Sequence, residues 1–267
     1  MTSLLELRGV SVSFDGFLAL NDLNLRLQPG ELRAVIGPNG AGKTTFLDVI
    51  TGKVRPTQGD VFFRGRSLVG TTEHRIARLG IGRKFQTPRV YQNLTARRNL
   101  ELAVSHRSPF DLLFRGLDGS SQDRVAHLLG VVGLQPQAQQ LAGGLSHGQK
   151  QWLEIAMLLA QDPDLLLVDE PVAGLSDEET ERTGELLCSL AGDHTVLVIE
   201  HDMDFIRNLD SPVTVLHEGH VLCEGSMQEV QNDPRVIEVY LGVEDDLEHA
   251  TDSSSNLLAR LSSDLQP

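Results

Sequence analysis

A glycine-rich run near the N-terminus has the residue types that bind phosphate. It reads Gly37-Pro38-Asn39-Gly40-Ala41-Gly42-Lys43-Thr44 and matches the pattern G-x-x-x-x-G-K-[ST]. Glycines let the backbone curve so that successive N–H groups point at phosphate oxygens. Lys43 can reach the β- and γ-phosphates, Thr44 offers a hydroxyl to Mg²⁺, and Thr45 can assist it. A chance glycine-rich turn is the alternative, but an apolar strand precedes this run and a helix follows it.

Two neighbouring carboxylates follow a second apolar run, and they have the chemistry of a metal and water site. Leu165 to Val168 is continuously apolar, and Asp169 and Glu170 come directly after it. At the carboxyl end of a strand, Asp169 is placed to hold Mg²⁺ through water. Glu170, one residue further, is placed to orient or deprotonate an attacking water. A strand that simply ends in surface acids is the alternative, and the phosphate-binding run upstream disfavours it.

Hydrophobic patterns indicate the elements that would position these groups. Residues 4–36 have the alternation of β-strands, Lys43 to Thr51 has a helical pattern, and Val61 to Phe63 is another strand. The apolar runs Leu165 to Val168 and Thr195 to Ile199 are typical of a parallel sheet that is covered on both faces. We therefore predict an α/β fold of the P-loop NTPase class.

The remaining segments are predicted to be mostly helical. From Glu73 to about Ala160 the pattern is that of helices joined by loops. Val213 to Leu216 and Val221 to Cys223 flank Glu218-Gly219, which predicts a hairpin. Val236 to Leu241 is predicted to be a terminal helix.

Composition and charge limit the classes of function. The chain has 267 residues, of which 40% are hydrophobic, and its formal net charge is -14. Such acidity disfavours a nucleic-acid binder, and no apolar stretch has the roughly 18 residues that a membrane span needs. We also expect no signal peptide. Six acids and one base lie between Val243 and Pro267, a serine-rich tail that we predict to be poorly ordered.

A third motif lies between the other two. Leu145-Ser146-His147-Gly148-Gln149 precedes a helical pattern, and with the flanking motifs it resembles the ATP-binding subunits of ABC transporters. The signature of that family is LSGGQ, so His147 replaces its first glycine. Three further positions match family motifs: Gln86 of Lys84-Phe85-Gln86, His201 of Glu200-His201-Asp202, and Phe14. The resemblance covers roughly residues 4–242.

The resemblance implies roles for these residues. Ser146, Gly148 and Gln149 would contact the γ-phosphate of ATP held by an opposing subunit, and Phe14 would stack on adenine. Gln86 would contact Mg²⁺ and, with Glu170, His201 and Lys43, would take part in catalysis. In the loop after Glu170, Ser176 occupies a position where many family members carry Asp. Communication between the two ATP sites through this loop is therefore in question.

The resemblance also implies an architecture and partners. An ABC-type fold has a mixed core sheet, an antiparallel N-terminal β region and an inserted helical subdomain, here about residues 87–160 of a domain spanning 1–242. A cassette of this kind would pair head-to-tail with a second ATP-binding subunit, identical or different, and bind Mg²⁺ and ATP. It would dock on permease subunits at the cytoplasmic face of a bacterial inner membrane, through a groove that includes Thr87 to Leu102. A solute-binding protein would take part indirectly, and nucleic acid would not.

The subfamily is narrowed by the segments Gly80 to Tyr91 and Leu145 to Thr180. They are similar to importers of branched-chain amino acids and urea, and most similar to the urea-importer subunits. Urea is therefore favoured as the solute, with branched-chain amino acids as the first alternative. An exporter-type ABC ATPase is the second alternative. Soluble ABC ATPases of DNA repair or translation are disfavoured, because neither long coiled coils nor duplicated domains are visible.

Overall fold

Two β-sheets form the framework of the computed structural model, which describes residues 3–84, 88–105 and 118–240. The first sheet is antiparallel, with the order β2-β1-β4-β5. Its strands are β1 (Leu5–Phe14), β2 (Phe17–Leu27), β4 (Gln58–Phe63) and β5 (Arg66–Ser67).

The second sheet has the order β10-β9-β3-β8-β7-β6 and is parallel except for the hairpin of β9 and β10 at its edge. Its strands are β3 (Leu32–Ile36), β6 (Ile81–Lys84), β7 (Leu165–Asp169), β8 (Thr195–Ile199), β9 (Val213–His217) and β10 (His220–Gly225). The predicted turn at Glu218-Gly219 connects the hairpin, and both residues have the positive φ that such a turn requires.

The helices cover both faces of this second sheet. They are α1 (Lys43–Ile50), α2 (Glu73–Arg78), α3 (Ala96–Val104), α4 (Gly119–Val131), α5 (His147–Leu159), α6 (Asp177–Leu190), α7 (Met203–Asn208) and α8 (Met227–Gln231). Residues 234–240 are also helical, in agreement with the predicted terminal helix, and Leu241 lies outside the described residues.

Strand β7 shows why its sequence is apolar throughout. Leu165 and Leu167 face the antiparallel sheet and α1, whereas Leu166 and Val168 face the helical layer that contains α5. All four side chains are buried. Because successive side chains of a strand point to opposite faces, a strand that is covered on both sides must be apolar at every position.

One prediction was wrong in part. The segment from Glu73 to about Ala160 was expected to be helical, but Ile81–Lys84 forms strand β6, which pairs in parallel with β7. Ile81 is the only apolar residue of this strand, so hydrophobic periodicity carried no strand signal. Pairing with β7 at the sheet edge decides its conformation instead, which is a tertiary effect on a weak local preference.

The predicted fold class is confirmed: a mixed α/β core sheet stands beside an antiparallel N-terminal sheet. Between β6 and β7 the described chain supplies α3, α4 and α5, where the helical subdomain is predicted. The acidic tail from Val243 to Pro267 lies outside the described residues. None of the helices in the described ranges is both long enough and apolar enough to cross a membrane.

Candidate nucleotide-binding site

The predicted phosphate loop connects the end of β3 to the start of α1, at the edge of the sheet where the parallel strands end. Gly42 is the N-cap of α1, with φ 97° and ψ 5°. The N-terminus of α1 therefore opens onto the loop, and its free N–H groups and helix dipole favour an anion there. The Lys43 ammonium donates hydrogen bonds to the carbonyls of Gly37 and of Pro38, the latter at 3.0 Å.

Exposure differs along the loop. Asn39, Gly40 and Thr44 are exposed, and Pro38, Gly42, Lys43 and Thr45 are partly exposed. Gly37 and Ala41 are buried, and a Cβ on Gly37 would lie 2.3 Å from the carbonyl oxygen of Leu216. The loop is therefore held against β9 on one side, and its other side faces outward.

Gly42 tests how tightly the loop is built. A Cβ there would lie 2.5 Å from the carbonyl oxygen of Ala19, whereas a Cβ on Gly40 would meet nothing within 4 Å, although both residues have positive φ. We expect Gly40→Ala to lower the free energy of unfolding by about 1–2 kcal/mol, from backbone strain alone. Gly42→Ala should lower it by at least about 1 kcal/mol more, because the clash adds to the strain. Chemical denaturation of both variants would measure the difference, and equal losses would contradict the packing described.

The predicted carboxylates lie next to this loop. Asp169 ends β7 and is 6% exposed, and Glu170 follows it with φ 46° and partial exposure. The N–H of Glu170 donates to the carbonyl of Ile199 at 2.9 Å, so this backbone is fixed to β8. Burial lowers the pKa of the Lys43 ammonium, and the nearby carboxylates of Glu170, Asp169 and Glu200 partly oppose that shift. The structure thus brings the lysine and the carboxylates together.

An arginine that the sequence analysis missed joins two acids beside the site. Arg83 Nη1 lies 2.5 Å from Asp48 Oδ1 on α1, and Arg83 Nη2 lies 3.2 Å from Asp169 Oδ2 on β7. All three side chains are nearly buried. Asp48 also binds the exposed Lys53 at 2.9 Å. The guanidinium therefore fixes one oxygen of Asp169 relative to the helix that starts in the phosphate loop.

A second missed residue, Glu200, fixes the loop that follows Glu170. Its side chain is 1% exposed and accepts the N–H of Val172 at 3.2 Å and that of His201 at 2.8 Å. The His201 ring itself is 69% exposed, with Nδ1 3.4 Å from Glu200 Oε2. The sequence signal for Glu200 was a charged residue directly after an apolar strand, in the same motif as His201.

The predicted signature residues lie at the start of α5. Ser146 is the N-cap, and its Oγ accepts the N–H of Gln149 at 3.1 Å while Gln149 Oε1 accepts the N–H of Ser146 at 3.0 Å, which is a capping box. Gly148 is buried in the first turn. His147 is exposed, and its Nε2 lies 3.0 Å from Gln151 Nε2. Among the hydrogen bonds and ion pairs of the described residues, none joins these residues to the phosphate loop of the same chain.

Phe14 lies at the turn between β1 and β2 and is 48% exposed. Its partner across the turn is Phe17, which is 67% exposed. The Phe14 ring is therefore not packed in the core, and it is exposed where a stacking role would need it. Gln86 lies outside the described residues.

The donors near the phosphate loop suit Mg²⁺ better than a metal held by protein alone. In the described part of the chain, no group of three or more His, Cys, Asp and Glu residues could hold a metal ion. Mg²⁺ at nucleotide sites takes one or two protein ligands and completes its shell with phosphate oxygens and water. The exposed Thr44 and the carboxylate of Asp169 provide that small donor set.

Comparison with protein families gives two matches. Residues 20–173 match the ABC transporter family, a span that runs from β2 to the loop after Glu170. Residues 220–246 match the family described as the branched-chain amino acid ATP-binding cassette transporter. The first match covers more than half of the chain.

Curated relatives match over nearly their whole lengths. The chain is 38% identical over 250 residues to the high-affinity branched-chain amino acid transport ATP-binding protein LivG of Escherichia coli K12, covering 90% of this chain and 98% of that protein. It is 36% identical to the corresponding protein BraF of Pseudomonas aeruginosa, with the same coverage. The lipopolysaccharide export system ATP-binding protein LptB of Acidithiobacillus ferridurans is 33% identical, covering 91% of this chain and 98% of that protein.

Solved structures have the same architecture. The ADP conformation of MJ1267, an ATP-binding cassette of an ABC transporter, superposes with a TM-score of 0.80 at 28% identity and covers 91% of this chain and 100% of that one. The dimeric structure of the ABC transporter cassette MJ0796 superposes with a TM-score of 0.70 at 27% identity, covering 84% of this chain and 98% of that one.

Proposed function

This chain belongs to the ABC transporter family, and from that premise we propose that it is the ATPase subunit of an importer for branched-chain amino acids. The chain binds ATP, and hydrolysis of this ATP powers transport. Two findings support branched-chain amino acids as the solute. They are the similarity to LivG over nine-tenths of this chain and the family match at residues 220–246.

The sequence favoured urea, and the relatives favour the first alternative instead. Those described above are named for branched-chain amino acids or for lipopolysaccharide export, and none of them is named for urea. The likeness to LptB keeps an exporter as a second candidate. The C-terminal match favours the importer, because it lies outside the segment that is common to the whole family.

The phosphate-loop residues act by position and charge. The N–H groups of residues 37–45 and the N-terminus of α1 surround the β- and γ-phosphates of ATP, and the Lys43 ammonium exchanges its carbonyl partners for phosphate oxygens. Thr44, Asp169 and Gln86 would hold Mg²⁺, which would neutralise charge on the phosphates. Phe14 stacks on the adenine ring from the exposed tip of the β1–β2 hairpin.

Glu170 and His201 serve the hydrolytic step. The carboxylate of Glu170 accepts a proton from, or orients, the water that attacks the γ-phosphate. His201 helps to orient this water from the end of β8, where Glu200 holds its backbone. Both residues follow adjacent parallel strands, so their backbones meet at one edge of the sheet.

A second ATP-binding subunit completes each site. The start of α5 carries Ser146, Gly148 and Gln149. Among the hydrogen bonds of the described residues, none joins these three to the phosphate loop of their own chain. We place them on the γ-phosphate of ATP held by the opposing subunit, which matches the head-to-tail pairing expected for the family. The bacterial ABC transporter cassette MJ0796, which this chain resembles, has a dimeric structure.

A groove between β6 and the helical layer is the proposed contact with permease subunits. It encloses about 320 Å³ and includes Arg89, Tyr91 and Leu102 of the predicted docking segment, together with Glu154 and Met157 of α5. The mixed apolar and charged lining suits one amphipathic helix from a partner. Docking there would hold the chain at the cytoplasmic face of the membrane, with a solute-binding protein on the other side.

The solute is tested by uptake. Cells that lack this gene should lose most high-affinity uptake of labelled leucine and keep uptake of labelled urea. A plasmid carrying the wild-type gene should restore leucine uptake, and one carrying the Glu170→Gln variant should not. Loss of urea uptake with leucine uptake intact would replace this proposal by the urea importer. Unchanged uptake of both solutes would favour the exporter.

A further inference from the structure

An acidic side chain from α6 lies against the signature of the same subunit. Ser146 Oγ donates a hydrogen bond of 2.7 Å to Glu179 Oε1, across 33 residues of sequence. Glu179 also closes the capping box of α6: its N–H donates to Ser176 Oγ at 3.3 Å, and its Oε2 lies 3.4 Å from the N of Ser176. One carboxylate thus joins the N-caps of two helices, α5 and α6.

The position of Gly148 shows how close this carboxylate lies. A Cβ built on Gly148 would be 2.7 Å from Glu179 Cδ and 2.8 Å and 3.1 Å from its two oxygens. A side chain at position 148 would therefore fit only if the Glu179 carboxylate moved away. The carboxylate sits beside the first turn of the 13-residue helix α5, where the helix dipole favours a negative charge.

Packing between α5 and α6 holds the backbone of Glu179 in place. Thr183 Oγ1 donates to the carbonyl of Glu179 at 2.7 Å, and the buried Trp152 Nε1 donates to Thr183 Oγ1 at 2.9 Å. The guanidinium of Arg182 lies 4.3 Å from the centre of the Trp152 ring. The backbone of Glu179 is therefore fixed relative to α5, and a side-chain rotation that takes the carboxylate away from Ser146 also breaks its contact with the N of Ser176.

We propose that Glu179 is a positioning residue that competes with the opposing subunit's ATP for the signature serine. The inference rests on the proposed function, which brings a γ-phosphate to Ser146. The Ser146 hydroxyl has one proton, and it can donate to Oε1 of Glu179 or to a phosphate oxygen, but not to both at once. A phosphate arriving at this helix end also meets the negative charge of the carboxylate.

Displacement of Glu179 has a second effect, at the loop that follows Glu170. Residues 171–176 end at Ser176, whose N-cap geometry uses the same carboxylate. When a phosphate oxygen accepts the hydrogen bond of the Ser146 hydroxyl, Glu179 loses one partner and its carboxylate is repelled, which changes the N-cap of α6. Engagement of the signature is therefore transmitted to the loop next to the hydrolytic glutamate of the same chain, although this loop carries Ser176 where many members carry Asp.

The substitution Glu179→Gln removes the negative charge of this side chain and keeps its size. Glutamine also serves at this capping-box position, so Glu179→Gln should fold normally. In the transporter purified with the subunits that accompany this chain, we expect Glu179→Gln to lower the KM for MgATP by about three- to tenfold, because the competing charge is gone. Glu178→Gln is the matched control, since it removes the same charge from an exposed neighbour in the same turn and should leave KM unchanged.

Two further measurements distinguish a failure of the role of Glu179 from a failure of the ATPase assignment. Binding of a fluorescent ATP analogue to the dilute, isolated chain reports only its own phosphate loop, and it should be equal in the wild type and both variants. An unchanged or raised KM in Glu179→Gln, with wild-type ATPase present, overturns the role of Glu179 and leaves the ATPase assignment standing. A wild-type transporter without ATPase activity overturns both.

Discussion

Replacing Glu170 by Gln is expected to slow ATP hydrolysis by about 10²- to 10⁴-fold and to leave ATP binding unchanged. The amide keeps the size of the side chain but cannot accept a proton from water. The backbone of residue 170 is fixed to β8 by the hydrogen bond to Ile199, so the substitution should not move the loop. Single-turnover hydrolysis and equilibrium binding of ATP would measure the two quantities separately.

A matched control for this variant is Glu185→Gln, which removes the same charge from an exposed position on α6. Its hydrolysis rate should equal that of the wild type. If Glu170→Gln hydrolyses ATP at the wild-type rate, another group activates the water and the assignment of Glu170 is wrong. Loss of binding together with hydrolysis would indicate a role in holding the nucleotide instead.

Replacing Lys43 by Ala should weaken ATP binding by about 10- to 100-fold, the usual cost of losing a hydrogen bond to a charged group. The rate of hydrolysis at saturating ATP should fall by about a further 10²-fold, because charge that develops on the phosphates is no longer compensated. The Lys43 ammonium is partly buried and surrounded by the loop, so water replaces it poorly. Calorimetric titration and steady-state kinetics would measure both effects.

Lys53→Ala provides the comparison for Lys43→Ala. Lys53 lies just beyond the end of α1, is more exposed than Lys43, and pairs with the nearly buried Asp48. Because the Lys53 ammonium is exposed and Asp48 keeps its ion pair with Arg83, binding and hydrolysis should change little. If Lys43→Ala binds ATP with wild-type affinity, the loop at residues 37–44 is not the phosphate site.

The parts of the site that could be predicted are contiguous in sequence. The phosphate loop, the acids after β7 and the signature each occupy a few consecutive residues, so the residue types and the local element are visible together. Their positions in the fold follow from strands that are apolar on both faces. The α/β class follows from these patterns, whereas the antiparallel N-terminal sheet and the inserted helical subdomain were expected only from the resemblance to the family.

The residues that were missed act through distant partners. Arg83 meets Asp48 and Asp169 across 35 and 86 residues, and Glu179 meets Ser146 across 33. No local pattern records such contacts, and a charged residue on a weak edge strand or in a helical turn has the pattern of an ordinary surface charge. Strand β6 was missed for the same reason, because pairing with β7, and not its own composition, makes it a strand.

Arg83 lies between the proposed permease groove and the nucleotide site. Its side chain lines the proposed permease groove and also binds Asp169, a proposed Mg²⁺ ligand. Any occupant of the groove that shifts this guanidinium changes the energy of the nucleotide site. Because such coupling is reciprocal, nucleotide binding must change the affinity of the groove for its occupant by the same factor. If the permease subunit occupies this groove and shifts the guanidinium, its affinity for this chain depends on the nucleotide state.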